Sequence, residues 1–369
     1  VQVHVKLNPN TAPAFAEARD VDRFGPSGYA LFALQQEDRL IREGLKFQVT
    51  LTWLSVPQMN RQRAALNEQL AKAKQPLLPA AVSDITDDLR DAVWAWVNFG
   101  GLGSRTRRGC GALYCRALAP ESTDVIAGWF RTAFERFSTL ASSATLWPRL
   151  SGHLFHQPNP LSPIAAWQSV MSVFKAFRQG EGVGRNAGRQ PNRPGRSRFP
   201  EPETIRETIR GSRGQRGGTH PPLGDIPSDA FPRAEFGLPI VFHFQGNEIA
   251  ETVLYPRVGT EQHERMASPL VLRPLCLADG NAVPAIIPLD VPWFTEVDLT
   301  LGGRRNVRRT FPLSAVRRPS LAEYTIPPSP LGPLPSAANP RISAGSGDGS
   351  AIEAFLAFAQ NADNNFRRV

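Results

Sequence analysis

Hydrophobic and polar positions alternate from the first residue, with Val1, Val3, Val5 and Leu7 set against Gln2, His4 and Lys6. This is the period of a strand that buries one face. Phe47, Val49, Leu51 and Trp53 repeat it against Gln48, Thr50 and Thr52, and the short apolar run 29–34 reads as a further strand. The period then changes to that of a helix. Ser83 is a suitable N-cap, Asp84, Asp87 and Asp88 fall in the first turn, and Ile85, Leu89, Ala92, Val93 and Trp96 form the buried stripe up to Gly100. Residues 112–118 resume as a strand. Val125, Ile126, Trp129, Phe130, Ala133 and Phe137 then mark a second amphipathic helix.

A second unit begins near residue 145, with a strand over 147–156 and a helix capped by Ser162 with Pro163 at its first position. Ile164, Trp167, Val170, Met171, Phe174 and Phe177 form that helix's apolar face. From 178 to 232 the chain is dense in Gly, Pro and Arg and shows no period, so it reads as an irregular insertion. Strands resume over 239–244, 270–277 and 283–288, the last two flanking the turn signal Asp279-Gly280-Asn281. Seven prolines over 319–349 describe a tether, and a helix closes the chain over 351–361. The expected class is α+β, divided into residues 1–144, 145–318 and 319–369.

Composition narrows the function. The 369 residues carry 42 Lys+Arg against 33 Asp+Glu, a net charge of +9, and 37 of the basic residues are arginine. Forked guanidinium donors suit phosphate, although high-GC coding would give the same bias. Three cysteines, Cys110, Cys115 and Cys276, with no C-x-x-C spacing exclude a disulfide scaffold and a zinc ribbon. The reading is a soluble, cytoplasmic protein without membrane spans, metal or cofactor. Because the chain starts at Val1 inside an alternating strand, the amino-terminal part of a longer protein is expected to be missing.

The charge is segregated. Ten arginines against four glutamates over 178–216 give +6, with Arg193, Arg196, Arg198 and Arg206 among them, in a tract too poor in apolar residues to fold alone. The densest chemistry lies at 100–111, where Gly100, Gly101, Gly103, Gly109 and Gly111 bracket Ser104, Arg105, Arg107 and Arg108. Glycine N–H groups can approach a phosphate closely while the arginines supply bidentate donors. The segment follows a helix and opens a strand, the reverse of a dinucleotide fingerprint, and it lacks the P-loop ending Gly-Lys-Ser/Thr. On spacing alone it is equally a helix C-cap running into a bulged hairpin whose arginines face solvent.

This segment resembles the glycine-rich loop of the RAMP superfamily, G-G-x-G-x-R-x-R-R-G-x-G, with every position filled. Three further segments are similar to the first RAMP subunit of the type III-B (Cmr) CRISPR effector complex. They are 194–202 with Ile205-Arg206, Phe231-Pro232-Arg233 with Phe236-Gly237-Leu238-Pro239, and 265–270, beginning at Arg265. The likeness runs from the first strand to about residue 290. Phe199 stands where a tryptophan is usual and Cys110 where larger residues are common. The family's opening strand, helix and Arg/Trp-rich segment would precede Val1, and the tail from 319 carries no family signal.

The resemblance implies two ferredoxin-like, RRM-like RAMP domains, the first truncated. It also implies a non-catalytic subunit in antiviral defence that caps the effector end distal to the crRNA 5′ handle. Such a subunit contacts the 3′ part of crRNA and target RNA and touches other RAMP subunits. It would bind RNA through Gly100, Gly101, Gly103, Ser104, Arg105, Arg107, Arg108, Gly109, Gly111, Arg193, Arg196, Arg198, Arg206, Arg233 and Arg265. The nearest RNP-like stretch, residues 108–113, lacks the stacking aromatics, so the expected recognition is of charge and shape.

The alternative within the superfamily is a metal-independent endoribonuclease that processes CRISPR RNA, and a third class is a structural subunit with no RNA affinity. A ribonuclease needs a histidine near an arginine. His4 lies on a polar strand face, His243 in an apolar strand with a structural role, His220 in the basic tract and His263 in an acidic turn. His153 and His156 lie on opposite faces of one strand, and none has an evident partner. Cys110 beside Arg108 would have a lowered pKa, but no base accompanies it.

Overall fold

The computed structural model describes residues 1–8, 15–17, 25–31, 39–79, 85–138, 148–185, 188, 195, 197, 199–213, 231–244, 249–291, 296–301, 307–312 and 351–369. The chain packs as two compact units, 1–97 and 98–369. The boundaries expected at 144 and 318 divide the sequence, whereas the packing divides at 97.

In the first unit β1 (Gln2–Leu7) pairs antiparallel with β4 (Phe47–Thr52), placing Val3 opposite Leu51 and Val5 opposite Val49. The β1 row is not half-buried as its alternation suggests. Val1, Val3, Val5 and Leu7 remain 54–67% exposed, because a two-stranded ribbon has no second layer of its own. β2 (Phe15–Glu17) pairs with β3 (Arg39–Ile41). Residues 26–31 of the expected 29–34 strand and its approach form a short helix, α1 (Pro26–Leu31), since Pro26 presets the first-turn φ and Tyr29 N–H bonds Gly25 O.

A helix absent from the expectation, α2 (Val56–Lys72), buries no residue, and Arg63 interrupts its sparse apolar row of Val56, Met59, Leu66 and Leu70. It starts at a capping box, in which Ser55 N–H donates to Gln58 Oε1 at 2.9 Å, with Pro57 in the first turn. α3 (Thr86–Phe99) follows, and the expected cap at Ser83 lies outside the described residues.

The second unit is mixed α+β. Its main sheet has the order β10 (Leu270–Cys276), β11 (Ala282–Asp290), β6 (Phe155–His156), β14 (Arg367–Arg368), every pair antiparallel, and β5 (Arg149–Leu150) extends the β6 side of β11. The expected strand over 147–156 is broken between β5 and β6. Gly152 there takes φ +78°, and a Cβ would lie 2.8 Å from the Phe134 ring. α5 (Pro163–Gln179) begins as predicted, with Ser162 Oγ accepting from Ala165 N–H. It packs on β10 and β11 together with α7 (Ala351–Ala359). Phe174 and Phe177 meet Phe355 of α7 with ring centroids 5.1 and 5.5 Å apart.

The opposite face, carrying Val271, Leu275, Val283, Ala285 and Ile287, packs on Ile126 and Phe130 of α4 (Ile126–Ser138). Along the chain these sheet elements run β6, α5, β10, β11, α7, β14, so the C-terminal residues expected to end as a helix also supply the sheet's last strand.

A second antiparallel sheet orders β13 (Val307–Pro312), β12 (Glu296–Leu301), β8 (Thr252–Val258) and β7 (Ile240–Phe242), with β9 (Glu261–Gln262) against β8. Its core of Leu254, Val297, Leu299 and Phe311 packs on Phe231 and on Ile205. Ile205 belongs to α6 (Glu201–Arg213), a helix inside the tract expected to be irregular. Among its described side chains, α6 buries Glu201, Glu203, Thr204, Arg206 and Thr208 beside Ile205. A search for apolar stripes misses such a helix because ion pairs, not methyl groups, satisfy its inner face.

Candidate nucleic-acid interface

The glycine segment forms a loop pinned at its base and open at its tip. Leu102 N–H donates to Gly111 O at 2.9 Å, Arg108 N–H to Arg105 O and Gly109 N–H to Thr106 O. Arg105 adopts the left-handed region (φ 60°, ψ 29°), and Thr106–Arg108 make one 3₁₀ turn. Gly109 lies so close to the sheet that a Cβ would stand 2.7 Å from both Leu272 O and the Trp167 ring. Gly101 faces Gly111 O similarly, at 2.9 Å. Gly103 needs only its positive φ and has open space beside it.

The expected strand over 112–118 does not form; the chain runs extended and then turns at Arg116–Leu118. The reason is where its carbonyls go. Arg273 of β10, fully buried, donates through Nη1 to Gly100 O at 2.9 Å and through Nη2 to Leu113 O at 3.2 Å. Asn98 Nδ2 takes Leu118 O at 3.1 Å. Side chains thus replace the ladder. Burial brings the Arg273 pKa down to about 10, which leaves it cationic at neutral pH. Arg273 is absent from the expected site residues, although an arginine amid the apolar run Leu272-Arg273-Pro274-Leu275 is itself the signal of a buried donor.

The arginines divide into those turned inward and those left at the surface. Arg108 donates to Ser268 Oγ (3.2 Å) and Phe236 O (3.3 Å) and lies 4.5 Å over the Phe174 ring, while its carbonyl accepts from Trp167 Nε1 at 2.6 Å. Against the expectation of RNA contacts, Arg206 is ion-paired with Glu203 in the interior and lies over Phe244. Arg233 is likewise held by Glu201, Nε to Oε2 at 3.1 Å, between the rings of Phe199 and Phe242. Desolvation explains this choice: a buried carboxylate such as Glu201 requires a cation, and the motif arginines provide it.

Arg265 is exposed, Arg105 and Arg107 are half-buried, and Ser104 is exposed. Burial lowers the Arg105 pKa, with Arg265 adding to the effect, which places these two charges within reach of each other. Burial also lowers that of Arg107. Among the described residues, Arg107 and Arg265 have no hydrogen-bonding or ionic partner, and the N–H groups of Gly103 and Ser104 donate to none. Arg193, Arg196 and Arg198 lie outside the described residues.

The four segments separated in sequence therefore meet. Arg108 bridges the loop to Ser268 and Phe236; Leu238 and Met266 exchange backbone bonds of 2.9 and 3.0 Å; Phe177 touches Phe199 and Phe236 at 5.9 and 6.0 Å. The Leu238–Pro239 peptide is cis.

Other candidates change. Burial pushes the Cys110 thiol up to about 11, outweighing the pull of Arg105 and Arg108, which removes it as a nucleophile. His243 is not an interior strand residue but exposed, 3.4 Å from Glu251. His4 and His263 are exposed, and His220 lies outside the described residues. His156 is buried with Nδ1 on Gln157 O, and burial lowers its pKa. His153 has a partner that the sequence did not reveal, Arg368 of β14.

No group of three His, Cys, Asp or Glu suited to a metal occurs among the described residues, and no helix there is long and apolar enough to cross a membrane. No family model, curated protein or solved structure matches the chain.

Proposed function

We propose that the chain is a non-catalytic RNA-binding subunit of the RAMP superfamily, acting in a type III-B CRISPR effector complex on crRNA and target RNA beside other RAMP subunits. The observation that carries the reading is that the described parts of the four resembling segments pack together, with Arg265 exposed and Arg105 and Arg107 half-buried around an open glycine tip. Guanidinium groups and unengaged backbone N–H groups recognise phosphate oxygens and ignore base identity. A subunit that must accept any guide requires that property.

The fold proposed with it is ferredoxin-like. The succession β6-α5-β10-β11-α7-β14, with spatial order second, third, first, fourth, is what such a β-α-β-β-α-β unit would have. The same reading of residues 1–144 rests on the resemblance. The loop of residues 108–113 offers no aromatic for stacking, so affinity resides in charge and shape.

Two RNAs of unrelated sequence and equal length should bind the purified chain with equal affinity, and repeat RNA incubated in EDTA should stay intact. Discrete cleavage abolished by His153→Gln would replace this reading with the endoribonuclease. Absence of RNA binding at low salt would leave only a structural subunit.

A further inference from the structure

A second cationic cluster lies at the open edge of the main sheet. β14 sets Arg367 opposite His156 and Arg368 opposite Phe155, and Val369 N–H donates to Leu154 O at 2.9 Å. This register returns Arg368 to His153, two residues before β6. Arg368 Nη2 stands 3.0 Å from Nδ1 and 2.9 Å from Nε2 of the same imidazole. Both contacts are made by the one nitrogen Nη2, and a donor set between two ring nitrogens is poorly aligned with either lone pair. Arg367 and Arg368 are both exposed, and among the described residues no strand pairs with the outer side of β14.

We propose that Arg368 and His153 together bind a phosphate oxyanion at this edge, His153 taking up a proton as the anion docks. A guanidinium is a planar fork matched to phosphate, and imidazole is the side chain whose charge changes near neutral pH. With no anion present the two groups cannot both be cationic at this separation without repulsion. Burial first, and then Arg368, accordingly hold His153 below its usual pKa, while a bond to the Gly152 backbone and the nearby Asp290 act the other way. An oxyanion between them turns the repulsion into two charge-assisted contacts. Asp290 is the acid that competes, and Arg367, which acts on His156, adds to the positive field. The site uses no residue of the glycine loop and stands whether or not that loop binds RNA.

The phosphate can be a free or monoester phosphate or a phosphodiester of RNA, and one experiment separates them. The His153 resonance of the full chain, assigned by its loss in His153→Gln, is titrated with pH in chloride, in inorganic phosphate and in a short RNA at equal ionic strength. Phosphate should raise the His153 midpoint above its chloride value. Arg368→Gln should weaken the phosphate response by roughly tenfold or more, and Arg368→Lys should restore part of it by keeping the charge. An RNA response at lower concentration than phosphate identifies a phosphodiester, and a phosphate response without one for RNA identifies a free or monoester phosphate. Equal midpoints in chloride, phosphate and RNA overturn the proposal, as does an undiminished response in Arg368→Gln. If that variant fails to fold, the wild-type comparison of the three anions decides alone.

Discussion

Arg273→Ala is expected to destabilise the second unit by about 3–5 kcal/mol, the combined effect of a cavity and of buried carbonyls left without donors. Arg273 stands 1% exposed on β10 and holds Gly100 O, Leu113 O and Pro274 O. Removing it leaves the loop's entry and exit carbonyls facing an apolar sheet. Arg273→Met refills much of the volume and restores none of the hydrogen bonds, so it should recover only part of the loss. Urea unfolding of the whole chain reads this as a fall in midpoint at unchanged slope for both variants, larger for alanine. A midpoint within error of the wild type would mean that the loop does not depend on Arg273.

Gly111→Ala is the second large effect. Gly111 has φ +64°, and a Cβ there would collide with the backbone carbonyl of Leu102, the residue whose N–H closes the loop on Gly111 O. Left-handed strain of roughly 1–2 kcal/mol adds to about 1–3 kcal/mol for forcing the two strands of the loop apart. Gly103→Ala shares the positive φ but meets open space, and should lose only the strain. The two substitutions are chemically identical and one loop apart, so a difference in urea midpoint between them isolates the steric contribution. Equal midpoints would contradict the close approach.

What was legible in the sequence was whatever a hydrophobic period announces. β1, β4, α3, α4, α5 and the β10–β11 hairpin all carry one, and Ser162-Pro163 fixes the start of α5 to the residue. What escaped has a common physical cause. α6 is held inside through Glu201–Arg233 and Glu203–Arg206, α2 buries no residue, and residues 112–118 direct carbonyls to arginine and asparagine side chains instead of to a strand.

The same cause misdirects the site. An arginine meant for phosphate and an arginine meant for a buried carboxylate are the same letter, so Arg206 and Arg233 read as RNA contacts until their partners are seen. Arg265 and Arg107 read the same way; Arg265 is found exposed and Arg107 half-buried. The edge strand β14, only two residues long, has no period to detect, and with it His153 gains the partner it lacked in one dimension.

Under the proposed function, Arg105 and Arg107 of the loop and Arg265 of the 265–270 segment grip an RNA backbone while Arg108 serves the fold. The direct measurement is the salt dependence of RNA affinity for the wild type, for Arg105→Ala/Arg107→Ala/Arg265→Ala, and for Arg108→Ala. The triple variant should stay folded and bind two unrelated RNAs equally weakly, with a salt slope reduced by about 0.7 per lost contact on a single strand. Arg108→Ala should lose stability and, once folded, keep the wild-type slope. A triple variant with unchanged affinity and slope would contradict the claim.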